Sequence, residues 1–89
     1  MLETAIVINN KLGLHARAAV KFVNMANRFS ADVKIEKDGS EIDGKSILGI
    51  LTLAAIQGAE IVLKIDGADE EAALKSLVAL INNKFDEKE

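Results

Sequence analysis

The 89-residue sequence has no cysteine, no tryptophan and no tyrosine, and only one histidine. Without cysteine there is no thiol nucleophile, no disulfide scaffold and no zinc–thiolate site, a usage that fits a cytoplasmic protein. Three phenylalanines are the only aromatics, too few for the stacking platform that single-stranded nucleic acid needs. The net charge of −3 also speaks against nucleic acid as a partner. No apolar run reaches the roughly 18–20 residues that cross a bilayer. The longest, Ile47 to Ile56, is broken by Gly49 and Thr52, so no direct membrane insertion is expected. Met-Leu-Glu at the start carries neither the basic nor the apolar region of a secretory signal. No His-rich or Asp-rich spacing suggests a metal site, and no cofactor is expected.

What is present is enough apolar residue for one core. At 49% hydrophobic, residues 1–89 are expected to form a single domain. Charge is unevenly placed: residues 1–31 carry a net +3 and residues 32–89 a net −6. The lone histidine, His15, lies in the basic third.

Residues 2–8 read as a first strand, and the consecutive β-branched Ile6, Val7 and Ile8 predict burial on both faces. Over 16–28, Ala19, Phe22, Val23, Ala26 and Phe29 form an apolar stripe, with Arg17, Lys21, Asn24 and Arg28 opposite it. Asp32 to Lys37 alternates, Asp38-Gly39 signals a two-residue hairpin, and Ser40 to Asp43 resumes the alternation. Ser46 suits the N-cap of a short helix at about 47–52. That helix is apolar on too many sides, so some of Ile47, Leu48, Ile50, Leu51 and Leu53 must face solvent or a partner. Glu60 to Asp66 is a strand, and Asp69-Glu70-Glu71 opens a last helix with charges that suit its dipole. Asp86 to Glu89 reads as a frayed charged tail. The order β-α-β-β-α-β-α, with one apolar stripe per helix, predicts helices on one face of an antiparallel sheet.

One motif is a decoy. Gly39 to Ser46 matches the G-x-x-x-x-G-K-[ST] phosphate loop letter for letter. Residues 40–43, however, alternate as a hairpin strand, Glu41 and Asp43 would set carboxylates beside a triphosphate, and 89 residues cannot build the parallel α/β domain that such loops serve.

The stretch Gly13-Leu-His-Ala-Arg17 carries more. A lone histidine in a small domain is usually a surface or packing residue. Here it stands where a loop becomes a helix, and a helix start offers unpaired N–H groups and the positive end of the macrodipole to an anion. No Ser, Thr, Asp or Asn caps that start; either His15 or water caps it, or the amides await an anion. Ser46 is by default a plain cap, and a phosphorylated cap serine is the sharper reading, because negative charge there favours the helix.

Asn10-Lys-Leu-Gly-Leu-His-Ala-Arg-Ala-Ala19, followed by Gly44-Lys-Ser-Ile-Leu-Gly-Ile-Leu-Thr-Leu-Ala-Ala55, resembles the HPr family, the phosphocarriers of the phosphoenolpyruvate-dependent phosphotransferase system. The match runs over essentially the whole chain. It implies an α+β open-faced β-sandwich, a four-stranded antiparallel sheet with three helices on one face. It implies that His15 accepts a phosphoryl group at Nδ1 from enzyme I and relays it to an enzyme IIA of sugar uptake, a co-substrate and not an enzyme. Arg17 would steady the phosphoryl oxygens. Ile47, Leu48 and Leu51, with Lys21, would dock partners, and Ser46 matches the site of an ATP-dependent HPr kinase/phosphorylase. A transiently docking monomer is expected.

Two departures stand out: Ala18 replaces a frequent proline of the first helical turn, and Leu48 and Leu51 replace docking methionines. Phe85-Asp86-Glu87 and the Asn-Lys-Leu-Gly lead-in are also similar to NPr, the nitrogen-related branch. Two other classes stay open: an acylphosphatase-like enzyme on a similar β-α-β-β-α-β plan, which would carry an arginine-bearing anion loop after the first strand, and a small ligand-binding regulatory module using residues 47–53 as its interface.

Overall fold

In the computed structural model, which describes residues 1–87, four strands form one antiparallel sheet. They are β1 (Leu2–Val7), β2 (Asp32–Lys37), β3 (Ser40–Asp43) and β4 (Glu60–Asp66), in the spatial order β1-β4-β2-β3. Three helices, α1 (Ala16–Ala26), α2 (Ile47–Leu53) and α3 (Glu70–Asn82), complete the open-faced sandwich. The alternation in β2 and β4 sends Val33, Ile35, Ile61, Leu63 and Ile65 into the core, because successive side chains of a strand point to opposite faces. There they meet Ala18, Ala19, Phe22, Val23 and Ala26 of α1 and Ala73, Leu77, Leu80 and Ile81 of α3.

Among the described residues the other face of the sheet carries no helix; it is mostly polar, with Ala5, Val7 and Val62 as its apolar members. Lys64 stands at its centre, 2.6 Å from Glu36, 3.0 Å from Glu41 and 3.9 Å from Glu3. Hydrogen bonds donated by Lys64 Nζ to Glu36 and Glu41 hold the ammonium well above its ordinary pKa. Asp38 and Gly39 both have positive φ (52° and 85°), as a type I′ hairpin requires. Asp69 accepts the amides of Ser30 (2.8 Å) and Ala31 (2.9 Å), tying the start of α3 to the corner between α1 and β2.

Three sequence expectations are corrected. Val7 is 48% exposed: β1 is an edge strand with alternating burial, so its β-branched run is covered on one face only. Helix α1 ends at Ala26 and not at 28, where Asn27, Arg28 and Phe29 turn away through bonds to Val23, Met25 and Ala26. The chain after α3 is not frayed at 86 and 87. Lys84–Asp86 form one left-handed turn (φ 57°, 55° and 62°), Phe85 is fully buried, and Glu87 is hydrogen-bonded; Lys88 and Glu89 lie outside the described residues.

Candidate functional site

The loop between β1 and α1 is fixed before it reaches His15. Asn10 is fully buried and its Nδ2 donates to the Gly13 carbonyl at 2.8 Å. Leu14 N–H donates to the Ala55 carbonyl at 2.9 Å, which brings the segment after α2 against this loop. Gly13 has φ 67°, and a Cβ there would lie 2.4 Å from the Ala55 oxygen and 2.9 Å from Ile56 Cα. Only glycine fits both the left-handed backbone and the close approach.

His15 is the N-cap of α1, with extended backbone (φ −77°, ψ 178°). Its Nδ1 accepts the Arg17 backbone N–H at 3.3 Å, so the imidazole itself supplies the missing cap. The first intrahelical bond, Ala19 N–H to the His15 carbonyl, is 2.8 Å, leaving the amides of residues 16–18 ahead of the helical ladder. Nε2 lies 2.5 Å from Glu87 Oε2. A ring nitrogen that accepts an amide proton carries none of its own, so the neutral ring bears its proton on Nε2, toward the carboxylate.

Glu87 is held in place from both sides. Its Oε1 accepts Asn10 Nδ2 at 2.8 Å, and its side chain is only 10% exposed against 23% for His15. Burial acts to raise its pKa, but the bonds from Asn10 and His15, with the charges of His15 and Arg17, outweigh that and hold the carboxyl below its ordinary value.

Of the residues singled out in the sequence, Arg17 is exposed on the first turn of α1. Lys21, one turn on, is half-buried and donates Nζ to the Phe85 carbonyl at 2.7 Å, so its ammonium is engaged by the chain end and not wholly given to solvent. Ser46 Oγ accepts the Gly49 N–H at 3.1 Å and caps α2. Within α2, Ile50 and Leu53 face the core while Ile47, Leu48 and Leu51 are 38%, 76% and 37% exposed. Leu12 and Ile56, on the two segments that meet at Gly13, are exposed as well. The decoy phosphate loop is dismantled by the fold: residues 40–43 are β3 and Lys45 Nζ donates to the Phe29 carbonyl at 2.8 Å.

Sequence reasoning missed Asn10 and Glu87. Their partners lie up to 77 positions away, and no local pattern reports such a meeting. One signal was available: Phe85 follows Leu77 and Ile81 at four-residue spacing, extending the apolar stripe of α3 past its end. Among the described residues no cluster of His, Cys, Asp and Glu could hold a metal ion, and no helix is long and apolar enough to cross a membrane.

Comparison with known proteins gives a consistent result. Residues 2–83 match the family model described as the PTS HPr component phosphorylation site. The phosphocarrier protein HPr of Neisseria meningitidis serogroup A is 49% identical over 89 residues, all of both chains. The crystal structure of HPr-C-His from Thermoanaerobacter tengcongensis superposes with a TM-score of 0.96 at 47% identity, covering both chains completely. An HPr dimer from the same organism gives a TM-score of 0.79 at 48% identity, over 98% of this chain and 100% of that one. With the fold, the His15 helix start and these matches in agreement, the chain belongs to the HPr family of phosphocarrier proteins of the phosphotransferase system.

Proposed function

We propose that His15 accepts a phosphoryl group at Nδ1 from phosphorylated enzyme I and passes it to an enzyme IIA component of sugar uptake. The observation that carries this reading is the His15 ring at the α1 N-cap, with Nδ1 toward the first-turn amides and Nε2 toward Glu87. The Nδ1 lone pair attacks phosphorus, and the bond from phosphorus to the donor's imidazole breaks, its electron pair returning to the donor. The phosphoryl oxygens then replace Nδ1 as acceptors for the helix-start amides, with the Arg17 guanidinium alongside. A carrier must not hold its cargo too well, since stabilisation shared by both ends of a transfer leaves its rate unchanged. Two or three amides and one exposed arginine suit that moderate grip.

The exposed Ile47, Leu48 and Leu51 form the docking surface for both partners, with Lys21 of α1 as a charged contributor. Ser46, as the cap of α2 beside this surface, is the substrate of an HPr kinase/phosphorylase: a phosphate there adds negative charge at a helix start and at the rim of the docking patch. The protein works in the cytoplasm as one domain and as a monomer, meeting partners through a patch left open to solvent. Sedimentation at working concentration tests the monomer against a dimer like that of the T. tengcongensis relative.

The deciding experiment is incubation with enzyme I and phosphoenolpyruvate. One acid-labile phosphoryl group per wild-type chain and none on His15→Ala is the expected result, and equal labelling of the two sinks the reading. With ATP and the kinase, an acid-stable phosphate should appear and should be absent from Ser46→Ala.

A further inference from the structure

We propose that Glu87 is a positioning residue for the reactive histidine, its carboxylate holding the Nε2 proton of His15 while Nδ1 gains and loses the phosphoryl group. This rests on His15 being the phosphoryl acceptor.

The two ring contacts have opposite polarity. Nδ1 accepts an N–H and Nε2 donates to a carboxylate, so the ring presents the unprotonated nitrogen to phosphorus. When Nδ1 bonds phosphorus and the ring keeps its Nε2 proton, the imidazole becomes cationic. The Glu87 carboxylate, 2.5 Å from that nitrogen, is placed to offset the charge. On release, the N–P bond breaks, its electron pair returns to Nδ1, and the leaving group is a neutral imidazole still protonated at Nε2. Without that proton the leaving group would be an imidazolate, a far poorer one. Acceptance and release therefore need no proton transfer in either direction.

The carboxylate is also built into place. One oxygen takes Nε2 and the other takes Asn10 Nδ2 at 2.8 Å, and Asn10 is itself fully buried and bonded to Gly13. Asn10 thus orients Glu87 as Glu87 orients His15, the arrangement by which outer partners fix the tautomer and direction of a working imidazole. The left-handed turn at Lys84–Asp86 redirects the chain from the end of α3 toward the His15 loop, and the buried Phe85 anchors it. Arg17, on α1, contributes the other charge acting on this carboxylate.

The test uses the full chain with Glu87→Ala and Glu87→Gln, each checked for folding by its thermal melt. Rapid-quench labelling by phosphorylated enzyme I gives the transfer rate, and NMR of ¹⁵N-histidine protein observes the Nε2 proton. Wild type should show a slowly exchanging, downfield Nε2–H. In Glu87→Ala this signal should be lost to exchange, and labelling should slow by about tenfold, the scale of one charge-assisted hydrogen bond. Glu87→Gln offers an oxygen without the charge, so its Nε2–H should move upfield and its rate should fall. Variants labelled at wild-type speed, or an unaltered Nε2–H in Glu87→Ala, overturn the role of Glu87 alone. A wild-type protein that takes no label overturns the acceptor reading and this proposal with it.

Discussion

Lys21 Nζ donates to the carbonyl of Phe85 at 2.7 Å, across 64 positions of sequence, and joins the polar stripe of α1 to the turn that delivers Glu87. Lys84, Phe85 and Asp86 all have positive φ, a conformation that costs non-glycine residues about 1 kcal/mol or more each. Full burial of the Phe85 ring offsets that cost. Phe85→Ala should therefore lower stability by about 3–5 kcal/mol, read from denaturant unfolding. It should also release the His15–Glu87 contact, visible as loss of the Nε2–H signal. A fall of under about 1 kcal/mol would show that the turn is held by something other than its aromatic anchor.

Acid should weaken the fold through the α3 start. The amides of Ser30 and Ala31 hold Asp69 below its ordinary value of 3.8 despite the opposing effect of burial. The Gly67 amide is the leading cause that does the same for Glu70, whose ordinary value is 4.5. A carboxyl depressed in the folded state binds its proton more readily when unfolded. Its stabilisation is thus present above the unfolded value and is lost as pH falls through the folded one. The melting temperature should be level near neutrality and fall progressively below about pH 4.5. Asp69→Asn should start lower and lose less between neutral pH and pH 3, and parallel curves for the two proteins would remove Asp69 from the cause.

Much of this architecture is legible locally. Asp38-Gly39 names its own turn type, the alternation of Val33 and Ile35 names the buried face of β2, and the spacing of Phe22, Val23 and Ala26 names the inner side of α1. Each is a periodicity or a backbone preference contained within a few residues. His15 and Arg17 are visible for the same reason, since a helix start is a local event. Val7 misled because its neighbours report β-propensity and not which sheet face a helix covers. Glu87 and Asn10 are invisible because their meaning is a contact closed by the whole fold.

Gly13 tests how closely the His15 loop must lie against Ala55. A Cβ at this position meets the Ala55 oxygen at 2.4 Å, in a backbone with φ 67°. Gly13→Ala should then cost about 1–3 kcal/mol of stability, and the loop must lift away from the segment after α2. Because Asn10 bonds the Gly13 carbonyl, the lift also disturbs the support of Glu87. Labelling by enzyme I should slow even at temperatures where the variant is fully folded. A variant with an unchanged melting temperature would mean that the loop yields without strain.

Leu48 separates docking from folding. It is 76% exposed and sits on α2 beside Ile50, which is fully buried. A substitution at Ile50 perturbs the core, whereas one at Leu48 changes little but the surface. Leu48→Glu should move stability by no more than about 0.5 kcal/mol. Placed in a docking interface, the same charge would be desolvated on binding without a partner. The KM for labelling by phosphorylated enzyme I should rise by about tenfold or more, with the limiting rate largely kept, because His15 and its supports are untouched. A matching loss in the limiting rate would place Leu48 in the geometry of transfer, and an unchanged KM would move the docking surface away from α2.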